Sequence, residues 1–398
     1  MSNPFRPRLI CLPAILVLLI TSAVFAQHDP NGVTGGGMIG GSTGRPSTRP
    51  ASKPANKPAS TTRRPTTTTV RKPTTNTPSG PSADSYYQQG EALYSEKKYR
   101  EALDDYVKAT ELNPSMAAAF YRMGWIYNDL EEYDSAIDPL KRAVTLQPNN
   151  AATNFELGYA YRKLERFNEA LNTFNQTIRI KPDYAAAHYE IGWIYNEQKN
   201  YDDAVRALKL AISYRSNYAE AHNELGYALR NLGRYSEAIE EYQEAIRLNP
   251  NLGLAHLGLG DVYYYNTKQY AEAAKSYKRG LELRPGNAAA EYNLAWCYND
   301  MSRYSEAVEE LRKAIQSQPN YPEAHNELGY ALHQLGRYAE AVQEYQMAIR
   351  QKTDYASAHY NLGMSYVALH NRNAALEQYR ILQRIDSTRA TKLFNQIK

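Results

Sequence analysis

A 34-residue spacing governs this sequence after residue 82: Gly90, Gly124, Gly158, Gly192, Gly226 and Gly260 follow one another at that interval. Ala295, Gly329 and Gly363 continue it after a single step of 35. Twelve residues beyond each of these stands an alanine, from Ala102 to Ala238 and again from Ala307 to Ala375, with Ala273 displaced by one. The extra residue therefore falls in the sixth unit, around Tyr265 to Gln269. A period of this length means one supersecondary unit per repeat, each burying its neighbour's apolar face. It also removes the reading of 398 residues as two or three independent globular domains.

Each period contains two helical patterns and two breaks. Pro114, Pro148, Pro182, Pro250, Pro285 and Pro319 close units, with Ser216 and Thr353 in the equivalent place elsewhere. Proline cannot donate its N–H inward, so it ends the second helix. Pro139 lies within a helical pattern and predicts a kink there. Between the two helices the chain reads as in Leu232-Gly233-Arg234-Tyr235-Ser236, a glycine stop followed by an aromatic. Asp134, Asn168, Asp202, Ser236 and Ser305 then fall where a helix-capping side chain is expected.

The 34-residue period with Gly, Ala and Pro at these offsets resembles the tetratricopeptide repeat family. The resemblance runs from Ala83 to Arg389 in nine units: 83–116, 117–150, 151–184, 185–218, 219–252, 253–287, 288–321, 322–355 and 356–389. It implies an all-α fold, a right-handed α-solenoid of stacked helix-turn-helix units, closed by a capping segment over 390–398. It also implies that the ninth residue of each first helix faces a concave groove. Trp125, Tyr159, Trp193, Tyr227, Trp296 and Tyr330 occupy that place, with Asp261 the exception. One turn on stand Asn128, Arg162, Asn196, Arg230 and Asn299, with Tyr264 and His333. Trp and Tyr alternate, so the underlying unit is a double repeat, and residues 220–229 are identical to 323–332. Members of the family that hold acidic C-terminal peptides use a Lys and Asn clamp. The second and fifth positions here (Ala118 and Tyr121, Glu220 and Asn223) do not carry it.

The amino terminus is of another kind. Arg6 and Arg8 precede an apolar stretch from Leu9 to Ile20, and Val24 and Ala26 suit cleavage before Gln27. Residues 1–26 read as a secretion signal, the alternative being an uncleaved anchor. Residues 27–82 are rich in Gly, Pro, Thr and Ser and read as a disordered linker of about 40 Å as a coil, or up to about 170 Å fully drawn out. Charge divides unevenly: +2 over residues 1–26, +7 over 27–82 and −5 over the remainder, within a total of +4. With Cys11 inside the signal, the mature chain keeps Cys297 alone, so no intramolecular disulfide is expected.

Three catalytic or metal-binding readings are set aside on chemistry. His188, His222, His256, His325 and His359 recur in register, but equivalent side chains of stacked helices stand about 8–10 Å apart while zinc needs ligands at about 2 Å. The pairs His222/Glu224 and His325/Glu327 have no accompanying C-x-x-C. Cys297 falls at an inward helix position with no base at fixed spacing, and reads as a buried inert thiol.

These observations predict a non-enzymatic interaction scaffold of the cell envelope or secreted space, periplasmic or released, without cofactor, metal or nucleic-acid partner. The expected ligand is a peptide or partner surface lying on the aromatic positions. A glycan-binding wall protein is the alternative, and the basic linker is a candidate contact for an anionic envelope polymer. Deleting residues 27–82 is expected to leave the repeats folded but to loosen attachment to an anionic surface. Unchanged salt dependence of retention in the deletion variant would exclude that electrostatic role.

Overall fold

The structure, a computed structural model of the chain, describes residues 80–398. The signal and linker residues 1–79 lie outside that range. Nine helical hairpins follow: α1 (Ala83–Ser95) with α2 (Tyr99–Leu112), α3 (Ala117–Asp129) with α4 (Tyr133–Leu146), and α5 (Ala151–Lys163) with α6 (Phe167–Ile180). Next come α7 (Ala185–Glu197) with α8 (Tyr201–Tyr214), α9 (Ala219–Asn231) with α10 (Tyr235–Leu248), and α11 (Gly253–Asp261) with α12 (Tyr270–Leu283). The last are α13 (Ala288–Asp300) with α14 (Tyr304–Ser317), α15 (Pro322–Gln334) with α16 (Tyr338–Gln351), and α17 (Ala356–Ala368) with α18 (Arg372–Ile385). A final helix, α19 (Ser387–Ile397), covers the ninth hairpin. The described residues are all-α, and the hairpins stack into a solenoid in which each packs on its neighbours.

The reason for glycine at the eighth position of the first helix is a ring. A Cβ on Gly90, Gly158, Gly260 or Gly329 would stand 2.7–2.8 Å from an aromatic carbon of Tyr106, Phe174, Tyr277 or Tyr345, and on Gly124 it would stand 2.3 Å from Leu140. Each of those large side chains comes from the second helix of the same hairpin and is fully buried. In the seventh hairpin Ala295 takes the glycine's place and the partner is the smaller Leu311. The alanines twelve residues on, Ala102 through Ala375, are all 0% exposed and let the second helix approach equally closely.

Three local readings are corrected. Asp134, Asn168, Asp202, Ser236 and Ser305 do not cap the second helices. Those helices open one residue earlier, on an aromatic, and their caps are Glu132, Arg166, Asn200, Arg234 and Arg303, none of which makes a side-chain cap hydrogen bond. Several pair with the glutamate three residues on, as Arg234 does with Glu237 at 2.6 Å, which brings a carboxylate to the positive helix end. The extra residue of the sixth unit lies not in the turn but within the helix. Val262–Asn266 forms a π-turn continuing α11, with Thr267 N–H donating to the Val262 carbonyl at 3.1 Å. The capping helix starts at Ser387, three residues before the expected 390, because Asp386 accepts the Arg389 N–H at 2.9 Å. At Pro139, where a kink is predicted, α4 continues without a break.

The turn inside each hairpin needs one residue in the left-handed region. Gly233 and Gly336 adopt it at φ 76° and 74°, but Lys97, Glu131, Glu165, Lys199, Lys268, Ser302 and His370 hold the same conformation with a side chain. Left-handed backbone costs an L-residue about 1–2 kcal/mol. Glu165→Gly should therefore stabilise the protein by about 1 kcal/mol. Gly158→Ala, seven residues earlier, should destabilise it by about 1–3 kcal/mol through overpacking against Phe174. Denaturant unfolding of the two single variants checks both signs.

Candidate functional site: the wall of first helices

Successive first helices touch one another, α3 against α5, α7 against α9, α9 against α11 and α15 against α17, whereas no comparable contact joins successive second helices. The stack therefore closes toward the first helices, which form its inner wall. On that wall the ninth-position rings Trp125, Tyr159, Trp193, Tyr227, Trp296 and Tyr330 are all partly exposed. They account for all three tryptophans of the chain.

Each ring is held by the hairpin before it. Tyr159, Trp193, Tyr227 and Tyr330 meet edge-on Tyr133, Phe167, Tyr201 and Tyr304, at centroid distances of 6.3, 6.3, 6.1 and 6.2 Å. The partner in every case is the aromatic that opens the preceding second helix. Trp125 sits edge-on to Tyr94 at 5.3 Å, and Trp296 to Tyr264 at 6.2 Å. Such pairs contribute about 0.5–1.5 kcal/mol beyond their buried area and fix the ring planes.

The polar residues one turn on have a different place. Asn128 and Asn196 are 3% exposed and Asn299 7%. Asn128 donates to the Glu156 main-chain carbonyl and to Glu156 Oε2, both at 3.0 Å, and Asn196 does the same to Glu224 at 3.1 and 3.0 Å. Arg162 pairs with Glu190 at 2.5 Å and Arg230 with Asp261 at 2.5 Å. Asn128, Arg162, Asn196 and Arg230 thus close the seam between one first helix and the next, Asn299 is buried at the same register, and the six rings remain on the accessible wall.

The acceptors in that seam, Glu156, Glu190 and Glu224, and Glu327 in the same register, stand at the sixth position of their helices; Glu224 and Glu327 stood out in the sequence only beside His222 and His325, and none of the four was read as a seam partner. Their signal is the same register, since the first three are 34 residues apart. Burial raises the carboxyl of Glu190 against the pull of Arg162. Burial likewise pushes Glu224 up to about 7 against the hydrogen bonds of Asn196 and Asn223, with Glu197 adding repulsion. Glu327 is also pushed up to about 7 by burial, with Asn326 opposing and Asp300 reinforcing. The sixth hairpin differs: Gly258 stands in place of the glutamate, and Asp261 accepts both Arg230 and, at 2.7 Å, the Tyr277 hydroxyl. Tyr265 is brought onto Asn293 of the next hairpin at 2.7 Å.

The recurrent histidines tie loops to helices. His188, His256 and His359 place Nε2 at 2.8, 3.1 and 3.0 Å from the carbonyls of Pro182, Pro250 and Thr353, six residues back. His222 and His325 face Glu241 and Glu344 through Nδ1 at 2.6 and 2.7 Å. Burial lowers the His222 imidazole, but the Glu241 carboxylate and the Ser216 carbonyl outweigh it, and its pKa is raised. Cys297 is fully buried, which pushes its thiol up. Among the described residues no group of three or more His, Cys, Asp or Glu could hold a metal ion. No helix among them is long and apolar enough to cross a membrane.

A stack of helical hairpins joined face to face, with a ring-lined inner wall, defines an α-solenoid repeat protein. Tetratricopeptide repeat models match residues 83–116, 117–150, 155–218, 226–266, 254–287, 297–336 and 329–369, and the chain belongs to that family. Its repeats are those of a protein-interaction scaffold. Among solved structures, the C-terminal part of a TPR repeat-containing protein from Cytophaga hutchinsonii is 16% identical, with a TM-score of 0.50, covering 61% of this chain and 99% of that one. YrrB, described as a TPR protein with an unusual peptide-binding site, is 24% identical with a TM-score of 0.46, covering 48% of this chain and 99% of that one. PilF of Pseudomonas aeruginosa is 20% identical with a TM-score of 0.45, over 53% and 97% of the respective chains. No curated protein sequence matches the chain.

Glu224 and Glu327 bind protons more tightly folded than unfolded, so their contribution is complete below about pH 4.5 and is lost as pH rises to about 7. The raised His222 has the same sign, lost above its ordinary 6.5. The repeat region should therefore melt higher at pH 5 than at pH 8. The double variant Glu224→Gln, Glu327→Gln should flatten the dependence, and an unchanged pH profile of its melting temperature would refute the assignment.

Proposed function

We propose that this protein is an exported, non-enzymatic scaffold that holds an extended peptide or partner surface against its wall of first helices. The observation carrying this reading is the set of six part-exposed rings at a single register position. One edge of each ring packs on the preceding hairpin, while the glycine-ring interlock and the alanines hold the hairpins themselves, so the part-exposed remainder of each Trp and Tyr is left over for a ligand. Rigid aromatics of this kind dominate binding surfaces because they offer large contact area at low entropic cost. Export rests on residues 1–26 alone, and a tethered form is the alternative for the same residues.

A glycan of the cell wall is the second reading, favoured by the same rings and by the basic segment before the repeats. Presenting purified wall polymer and, separately, envelope proteins to the mature protein separates the two. For the wall itself, changing Trp193 and Tyr227 together to Ala should cost about 2–4 kcal/mol of partner affinity. Stability should fall less than in Leu225→Ala, where the residue is 1% exposed and about 2–5 kcal/mol is expected. A variant that melts early yet binds normally per folded molecule would make the rings purely internal packing.

A further inference from the structure

The inner wall is short of cations. The nine first helices hold 13 Asp and Glu against Arg122, Arg162, Lys163 and Arg230, a net charge of −9. All four cations are engaged: Arg122 by Glu91 at 2.7 Å, Arg162 by Glu190, Arg230 by Asp261, and Lys163 over the rings of Tyr133 and Tyr159 at 5.5 and 5.7 Å.

The acids have an order of their own. Asp129, Glu197 and Asp300 each end a first helix four residues beyond Trp125, Trp193 and Trp296. An i, i+4 spacing puts ring and carboxylate on one helix face. Asp129 and Glu197 are exposed and Asp300 is partly so. The next first helix adds Tyr159, Tyr227 or Tyr330 about 8–10 Å away. Three trios of Trp, acid and Tyr therefore line the wall, the second two repeats after the first and the third three repeats after the second.

We propose that each trio takes a Lys-Pro or Arg-Pro step of an extended polypeptide, the cation at the carboxylate and the pyrrolidine ring on the aromatic faces. This rests on the peptide-scaffold reading and names its ligand. Aromatic grooves suit proline-rich chains because polyproline II is preformed and loses little entropy on binding. An aromatic face and a carboxylate together attract an ammonium or guanidinium. The third trio lies three helix-packing steps beyond the second, whereas the first two are two steps apart, about 16–20 Å. Polyproline II rises about 3.1 Å per residue, so about six residues bridge that span. The same sequence carries this chemistry outside the repeats: Arg45-Pro46, Arg49-Pro50, Lys53-Pro54 and Lys57-Pro58 place a cation before proline at every fourth residue, about 12 Å apart, so such a segment offers a step to one trio at a time and does not match two neighbouring trios in register.

The test uses a synthetic peptide of residues 45–58 and a control in which its four cations are Gln. The receptor is the full-length protein with Arg45, Arg49, Lys53, Lys57, Arg64 and Lys72 each replaced by Gln, so that residues 27–82 keep none of the Lys-Pro or Arg-Pro steps. Because every tryptophan of the chain belongs to a trio, indole emission reports on the site directly. The cationic peptide should shift that emission and bind at least tenfold more tightly than its control. The triple change Asp129→Asn, Glu197→Gln, Asp300→Asn should weaken it at least tenfold with the melting temperature held. If the triple variant melts early, Glu197→Gln alone, at an exposed helix end, should weaken binding and its salt dependence. Equal binding of both peptides, or full binding by the acid variants, overturns cation recognition and leaves the peptide scaffold intact. Failure of both peptides overturns the inference. A soluble wall glycan that shifts the emission where neither peptide does removes the scaffold reading as well.

Discussion

Everything in this stack depends on a ring set into the space a missing Cβ leaves. At Gly90, Gly158, Gly260 and Gly329 the second-helix Tyr or Phe lies where any side chain would be, and at Gly124 and Gly192 a leucine does. That contact sets how closely the two helices of a hairpin approach. The separation in turn decides which faces remain to meet the next hairpin, since interiors are close-packed and do not deform continuously. In the ninth hairpin the same space at Gly363 is met by Leu393 of the capping helix, so the terminal helix closes the last apolar face.

The second constraint runs between hairpins, and it is polar. Asn128 to Glu156, Arg162 to Glu190, Asn196 to Glu224 and Arg230 to Asp261 link consecutive first helices in alternating neutral and ionic steps. A buried ion pair is weak evidence for stability, because desolvation offsets the attraction. Removing one member leaves a buried charge, however, so such a seam fixes register even where it adds little stability. In the sixth hairpin Asp261 takes the charge that the missing sixth-position glutamate would have met, and the one-residue insertion is absorbed just beyond it, in the π-turn Val262–Asn266.

The parts of the fold legible in the residues were those whose cause is local or strictly periodic. Glycine at every thirty-fourth residue, alanine twelve later and proline at the close are steric requirements of close approach and helix ending, and they recur wherever the approach recurs. The turn was less legible, because only Gly233 and Gly336 announce a left-handed residue while Lys, Glu, Ser and His hold it elsewhere. The helix openings were misread by two residues, the cap being Glu132 rather than Asp134, since the aromatic between them serves the next hairpin's ninth-position ring, and that demand outranks a capping side chain. For the inner wall, the rings could be placed from register alone. The amides and guanidiniums beside them could not be divided into seam and surface, because their partners lie 28 to 31 residues onward in another helix.

By itself the sequence determined that the chain is a stack of nine helical hairpins and that Trp and Tyr recur together at one register position, because period and side-chain size are properties of the chain. Only the tertiary structure decided which charged groups meet, that four glutamates enter a seam, that the histidines hold loop carbonyls, and that the sixth hairpin absorbs its extra residue within a helix. Those outcomes depend on the distance between surfaces of neighbouring hairpins. That distance is set by the packing of side chains far apart in the chain, which no local pattern of residues encodes.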